Sequence, residues 1–557
     1  MKKVSFLQLL AMSVFLSVLT IVIVLTVTEQ REIETREVLN AEKILGLEFY
    51  AADQDSMLDN LIEYRNSYET NWNVELKNSV VPSILFNPLP VGFEFNKVQK
   101  PLEFSDYSKT KMPDNIEKLA YYSIGELAEL IRTKQISSVD LTIFFLERLE
   151  KFDPKLECVI ALTEERALRQ ASLADKEIVE GKYRGLLHGI PFGVKDILST
   201  KDYKTTWGAE PFKDQMISED ATVIKKLEDA GAVLLAKLSM GALAWGDVWY
   251  GGETRNPWDI TKGSSGSSAG SASAVSAGLL PFAIGTETWG SIVSPSTVCG
   301  VTGLRPSYGR VSRTGAMALS WSMDKIGTIC RNTEDLAIVF NEIHGPDKID
   351  QTLYDVPFNY SNEVDLSKLK IGYLKNDFDG DYDFHKNDSL ALKQLKDLGA
   401  DLIPIELPKI DVESLSFILS AEASAAFDEL TRSKKDKLLV RQVKKAWPNV
   451  FRSARFIPAV EYLNANRIRS LLIEEMQKLM ESIDVYLAPS WEGDNLLLTN
   501  LTGHPCVVLP DGFSKDGTPT SITFIGKLFD EGTLIAVAKV YQDATEHHLK
   551  HPDLNYK

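Results

Sequence analysis

Residues 262–275, KGSSGSSAGSASAV, consist almost wholly of Ser, Gly and Ala, and they run without a break into the apolar stretch SAGLLPFAIGTETWGSIV. That composition is typical of a flexible tether. A tether, however, does not lead into Val275, Leu279, Leu280 and Phe282. Gly266 and Gly270 let the backbone bend or pack closely, and Ala272, Ala274, Ala277 and Gly278 let a helix press tightly on a sheet. The segment therefore predicts a packed turn, a small-residue helix over 271–278 and a buried strand over 281–286.

The surrounding pattern fits. Ser123 with Glu126 forms a capping box opening IGELAELIRTKQ, and Ser138 is placed to cap a second helix whose Leu141, Phe145 and Leu149 share one stripe. LLHGIPFGVKDIL reads as a buried strand punctuated by Gly and Pro and holding one lysine, Lys195. A helix near 221–230 and the strand AVLLAKL (232–238) follow. A second alternating series opens at LKIGYL (369–374) and ends with DVYLAPS, PCVVLP and TSITFIG. Alternating helices and strands predict an α/β fold with a mixed or parallel sheet covered on its faces. The boundaries expected are a leader over 1–28, an extension over 29–115 and one folding unit over 116–557.

The extension predicts an amphipathic helix from Met57, Leu58, Leu61, Ile62 and Tyr64, followed by VVPSILFNPLPVGF, a Pro- and Gly-punctuated strap over a surface. Before it, Lys2 and Lys3 precede an uncharged run of about 25 residues, enough for roughly 37 Å of helix. This reads as a signal peptide or an uncleaved signal anchor, with membrane association through residues 4–28. The expected location is exported or membrane-anchored, the body periplasmic or extracellular.

Among 557 residues, 61 basic against 78 acidic side chains give a net charge of −17, which repels phosphate backbones and disfavours direct nucleic-acid binding. Cys158, Cys299, Cys330 and Cys506 are widely spaced and signal neither a zinc site nor a disulfide framework. No metal and no organic cofactor is expected.

Two features point to chemistry. An ammonium on an apolar strand loses hydration unless it is paired or deprotonates, so Lys195 is either half of a salt bridge or a base; Asp196 beside it faces the other way. Gly290 and Ser291 lie on a turn directly after a buried strand, where backbone N–H groups can point at a bound oxygen.

The run GSSAGSASAVSAGLLPFAIGTETWGSIVSPSTVCGVTGLRPSYG, together with HGIPFGVKD, ETRNPWD, NLTGHPCVVLP and FDEGTL, resembles the amidase signature family from about residue 120 to 550. The resemblance implies a single α/β/α domain around a central mixed sheet and an amidase acting on a small-molecule or short-peptide amide. By position it implies Ser291 as nucleophile, Ser267 as the serine held by a cis peptide bond, and Lys195 as base, with backbone N–H groups of Thr288, Trp289, Gly290 and Ser291 forming an oxyanion hole. A lysine brought from about 10.4 to about 7 shifts by roughly 3 units, on the order of 4 kcal/mol, which burial can supply. Trp289 stands where the family often has a small residue, and Val293 replaces a frequent arginine; both bear on substrate choice.

Rival readings remain open at this point. Gly266-Ser267-Ser268-Ala269-Gly270 satisfies G-x-S-x-G, a nucleophile elbow with Ser268 as nucleophile. The family also includes the glutaminase-type subunit of a tRNA-dependent amidotransferase, and a third reading is an inactive anchored binding protein of the same fold. His188 and His504 read as turn packing, Met240 and Trp245 as pocket lining or core, and Tyr462, Arg467 and Arg469 as cavity wall or helical layer. Asn500-Leu501-Thr502 matches a glycosylation acceptor inside a packed segment.

Overall fold

The computed structural model describes residues 33–556. The leader, residues 1–28, lies outside them. Among the described residues no helix is long and apolar enough to cross a membrane.

The chain divides into two compact units between Lys77 and Asn78. The smaller contains helices Thr35–Leu45, Ala51–Ser56 and Leu58–Asn71. Met57, Leu58, Leu61 and Ile62 are only half-buried, and the helix from Leu58 to Asn71 has no buried residue. The larger unit begins at Asn78 and so takes in the strap and the rest of 78–115, which the sequence pattern groups with the extension. Backbone bonding explains the assignment: Lys100 N donates to Asn359 Oδ1 (2.7 Å) and Glu103 N to the Tyr360 carbonyl (3.0 Å).

The larger unit is built on one eleven-stranded sheet. Its strands are β1 (Val159–Leu162), β2 (Pro191–Lys195), β3 (Val233–Leu238), β4 (Phe282–Glu287), β5 (Thr302–Arg305), β6 (Lys325–Cys330), β7 (Ile371–Leu374), β8 (Leu402–Ile405), β9 (Val485–Pro489), β10 (Cys506–Phe513) and β11 (Pro519–Gly526). Their order is β1-β3-β2-β4-β6-β5-β10-β11-β9-β7-β8. β2 runs parallel to β3 and β4, and β7 parallel to β8 and β9, while the strands between them pair antiparallel. Every residue of β2, β3, β4 and β6 is buried, as strands covered on both faces must be. This is the α/β fold with a mixed sheet expected from the alternation.

The capping box of Ser123 and Glu126 forms as expected. The next helix, Ser138–Leu156, is capped one residue earlier, by Ser137, whose Oγ accepts from Asp140 N (2.9 Å). Ser138 turns inward instead and donates to the Gly189 carbonyl (2.9 Å). Leu141, Phe145 and Leu149 are fully buried along the expected stripe.

The Ser/Gly/Ala segment is a helix, Ala269–Ser276, buried at all eight positions. Its serines are spent on backbone: Ser271 donates to the Ile284 carbonyl (3.1 Å), Ser273 to that of Arg255 (2.8 Å) and Ser276 to that of Cys299 (2.6 Å). A Cβ on Gly270 would fall 2.3 Å from the Cys158 carbonyl oxygen and 2.5 Å from Ser239 N. Only a residue without a side chain lets the helix approach this closely. We expect Gly270→Ala to destabilise the fold by about 1–3 kcal/mol, because backbone must move to admit the methyl. A thermal or urea unfolding midpoint unchanged from wild type would refute the close-packing argument.

Candidate active site

Lys195 ends β2 and Glu287 ends β4, so two adjacent parallel strands deliver their C-terminal ends to one place, where α/β sheets hold ligands. The Lys195 side chain is fully buried. Its Nζ lies 2.8 Å from Ser267 Oγ, 2.9 Å from Thr286 Oγ1, 3.2 Å from Ser268 Oγ and 3.4 Å from the Thr286 carbonyl oxygen. All four neighbours are uncharged oxygens. Burial therefore pushes the amine down to about 7, with Asp324 and Glu287 opposing only from a distance. Asp196, alternating to the other face, pairs with the buried Lys237 (2.9 Å) and accepts from Thr206 N (2.8 Å). The salt bridge open to Lys195 in the sequence reading thus belongs to a different lysine.

Ser267 Oγ lies 3.0 Å from Ser291 Oγ, and the Gly266–Ser267 peptide bond is cis. Lys195, Ser267 and Ser291 form one continuous line of polar atoms, and Ser267 and Ser291 are 1% and 8% exposed, so bulk water barely competes for the contacts. Ser268 is placed differently. It is fully buried, donates to the Thr286 carbonyl (3.1 Å) and accepts from Thr286 N (3.1 Å). The strand leading towards it, Asp259–Gly263, has no buried residue, so the buried strand that an elbow needs is missing.

The turn after β4 holds Thr288, Trp289, Gly290 and Ser291. Gly290 has φ +83°, a left-handed conformation natural to glycine. The backbone N–H groups of these four residues donate to no described residue and are available to an oxygen atom. The next two N–H groups, of Ile292 and Val293, both donate to Glu287 Oε2 (2.8 and 3.0 Å). Glu287 in turn accepts from Arg305 Nη1 (2.7 Å) and Asn500 Nδ2 (2.8 Å). Burial raises the Glu287 carboxyl, but Arg305, Asn500 and the Val293 N–H outweigh it and hold the group at about 2. A charged carboxylate thus anchors the turn from beneath at the start of the helix Val293–Cys299. Above, Thr288 Oγ1 donates to Asp324 Oδ1 (2.6 Å). Trp289 is 38% exposed, so its indole lies outward at the rim rather than under the turn.

His188 and His504 are buried in turns. His188 Nδ1 accepts from Arg184 N (3.1 Å), and His504 Nδ1 lies 2.9 Å from Thr502 Oγ1. Burial, aided by Arg305, pushes His504 down to about 3. Asn500 is 1% exposed and spent on Glu287, which leaves it no role as a glycosylation acceptor. All four cysteines are buried and free. Met240 is buried core, whereas Trp245 is half-buried beneath the Arg441 guanidinium (5.2 Å). Arg467 is exposed, while Arg469 is fully buried and Tyr462 bonds Glu422. Sequence reasoning missed Thr286, Glu287, Asp324 and Asn500. The first two lie inside the GTETWGS motif and were within reach; Asp324 and Asn500 reach the site only through tertiary pairing.

Residues 140–496 match the model of the Amidase family. A glutamyl-tRNA(Gln) amidotransferase component of Coxiella burnetii is 34% identical over 481 residues, covering 78% of this chain and 99% of that protein. The peptide amidase of Stenotrophomonas maltophilia superposes with a TM-score of 0.69 at 28% identity, covering 78% of this chain and 99% of that one. An amidase family protein from Bacillus anthracis gives 0.69 at 27%, covering 79% and 95%. The amidotransferase relatives correct the expected location. Proteins named for glutamyl-tRNA(Gln) and matched nearly end to end contradict the expectation of an exported or membrane-anchored chain with a periplasmic or extracellular body. With the fold, the motif order and the matched span in agreement, the chain belongs to the amidase signature family, whose enzymes act on C–N bonds.

Proposed function

We propose that this chain hydrolyses a carboxamide through an acyl-enzyme on Ser291. The observation that supports this reading is the unbroken line from a buried Lys195 amine, pushed down to about 7, through Ser267 Oγ (2.8 Å) to Ser291 Oγ (3.0 Å). A neutral amine has two N–H bonds and one lone pair. Thr286 Oγ1 and Ser268 Oγ can take the two N–H bonds, which leaves the lone pair for the Ser267 hydroxyl. Lys195 then accepts the Ser267 proton while Ser267 accepts that of Ser291, and Ser291 Oγ bonds to the amide carbon. The carbonyl oxygen becomes an oxyanion facing the N–H groups of Thr288, Trp289, Gly290 and Ser291. The proton returns along the same route to the leaving nitrogen, and the C–N bond breaks. Water attacks the resulting ester and gives a proton through Ser267 to Lys195; that proton returns through Ser267 to Ser291 Oγ as the bond from Ser291 Oγ to the acyl carbon breaks, and the acid leaves.

Among the amides, the amidotransferase relatives favour a glutaminase-type subunit over a free-standing amidase, since they align at 34% identity over 99% of their length. In that role the substrate is a glutamine side-chain amide, and partner subunits use the ammonia. The peptide amidase likeness, at 28% identity, favours the alternative of a peptide amide. Ammonia release from glutamine by the purified chain, enhanced when its partner subunits are added, supports the first; release from a peptide amide alone, with glutamine untouched, supports the second.

Three outcomes test the shared chemistry. Ser291→Ala and Lys195→Ala each lower kcat by at least about 10³-fold and abolish fluorophosphonate labelling. Ser267→Ala costs about 10²–10⁴-fold, the usual worth of a positioned proton relay. kcat/KM rises with pH through about 7, because only deprotonated Lys195 can accept the proton, and the limb vanishes if the base is elsewhere. Full activity in Lys195→Ala would sink the mechanism.

A further inference from the structure

Asp324, which holds Thr288, belongs to a loop that is itself gripped from three directions. Its Oδ2 closes the loop internally, accepting from Leu319 N (2.8 Å) and Ser320 N (2.9 Å). The first outside grip is Glu422, 5% exposed, on the helix Phe417–Ala426. Its carboxylate accepts from Ser320 Oγ (2.7 Å), Ser322 N (3.0 Å), Ser322 Oγ (2.7 Å) and Tyr462 OH (2.8 Å). The second is Arg469, fully buried, which donates to Ser322 Oγ (2.8 Å) and to the Ser322 carbonyl (2.9 Å). The Phe86 ring of the strap covers its guanidinium at 3.6 Å. The third is Asn78, where the larger unit begins. Its side-chain amide imitates a strand partner, donating to the Ala318 carbonyl (2.8 Å) and accepting from Ala318 N (2.7 Å).

A buried carboxylate with four donors and, among the described residues, no ion pair in contact is an expensive arrangement, and every donor but the tyrosine comes from this one loop. The loop in turn touches the turn that offers the unpaired N–H groups. We propose that Glu422 and Asn78 are positioning residues for the reaction: by fixing residues 318–324 from two sides, they hold Asp324 against Thr288 and so set the direction of the backbone donors that meet the oxyanion. The inference rests on the acyl-enzyme reading above and gives a catalytic purpose to Asn78, just ahead of the strap, and to a helix, both outside the recognised motifs.

Fluorophosphonate inactivation of the full chain tests it, because the phosphonyl adduct places an oxygen where the oxyanion forms. In Glu422→Gln, isosteric but with one acceptor oxygen in place of two, kinact falls about tenfold, a part of the ~10²–10³ lost when a donor is removed outright. KI stays within about twofold, and the thermal midpoint stays near that of wild type. Asn78→Ala, at the other end of the loop, gives the same split between kinact and KI at smaller size, and it decides the matter if Glu422→Gln does not fold. Wild-type kinact in both variants overturns the proposal, as does a loss that appears only in KI or only in step with the thermal midpoint. A wild-type protein that never labels at Ser291 would instead sink the acyl-enzyme reading, so the two failures are distinguishable.

Discussion

The amine of Lys195 is completely buried among oxygens that bear no charge. That one constraint shapes much of the site. A carboxylate in contact would favour the ammonium form, and the two acidic groups that act on the amine from a distance are each committed elsewhere, Glu287 to Arg305 and Asp324 to Thr288. The neighbouring buried lysine, Lys237, shows the contrast. It has Asp196 in contact and forms an ordinary internal ion pair on the opposite side of the strand end.

Keeping the lysine dry requires close packing on every side, and the small-residue helix supplies it. Glycine at 270 and alanines and serines around it bring Ser267 and Ser268 down onto the ends of β2 and β4, and the serine hydroxyls satisfy carbonyls that the approach would otherwise strand. The turn with Ser291 is anchored by Glu287 on one side and by Asp324 on the other, and its four consecutive N–H groups donate to no described residue.

The site therefore depends on elements well outside the central motifs. Asn500 stabilises Glu287 from the helix Asn495–Thr502, and Arg469 and Glu422 hold the 318–324 loop from two further helices. The strap joins them through Phe86, and Asn78 does so from just ahead of it. These segments bond to the motif region across long stretches of sequence, so their contribution is invisible in any short pattern.

The order of helices and strands, the buried lysine on an apolar strand and the unusual run of small residues were legible because each follows from local composition: apolar periodicity sets the element, and residue size sets how closely backbones can approach. The capping serine was misplaced by one position, since Ser137 and Ser138 are equivalent in sequence and only the inward contact of Ser138 with Gly189 separates them. The helix at 58–71 formed without a buried face, because spacing alone does not say whether a neighbour exists to cover it. Sequence by itself determined the fold class, and its resemblance to the amidase signature family singled out the three side chains that meet. Tertiary structure decided that Lys195 lacks a charged partner while Lys237 has one, and that Glu422, Asn500 and Asn78 brace the site, because desolvation and hydrogen bonding depend on residues tens to hundreds of positions apart meeting in space.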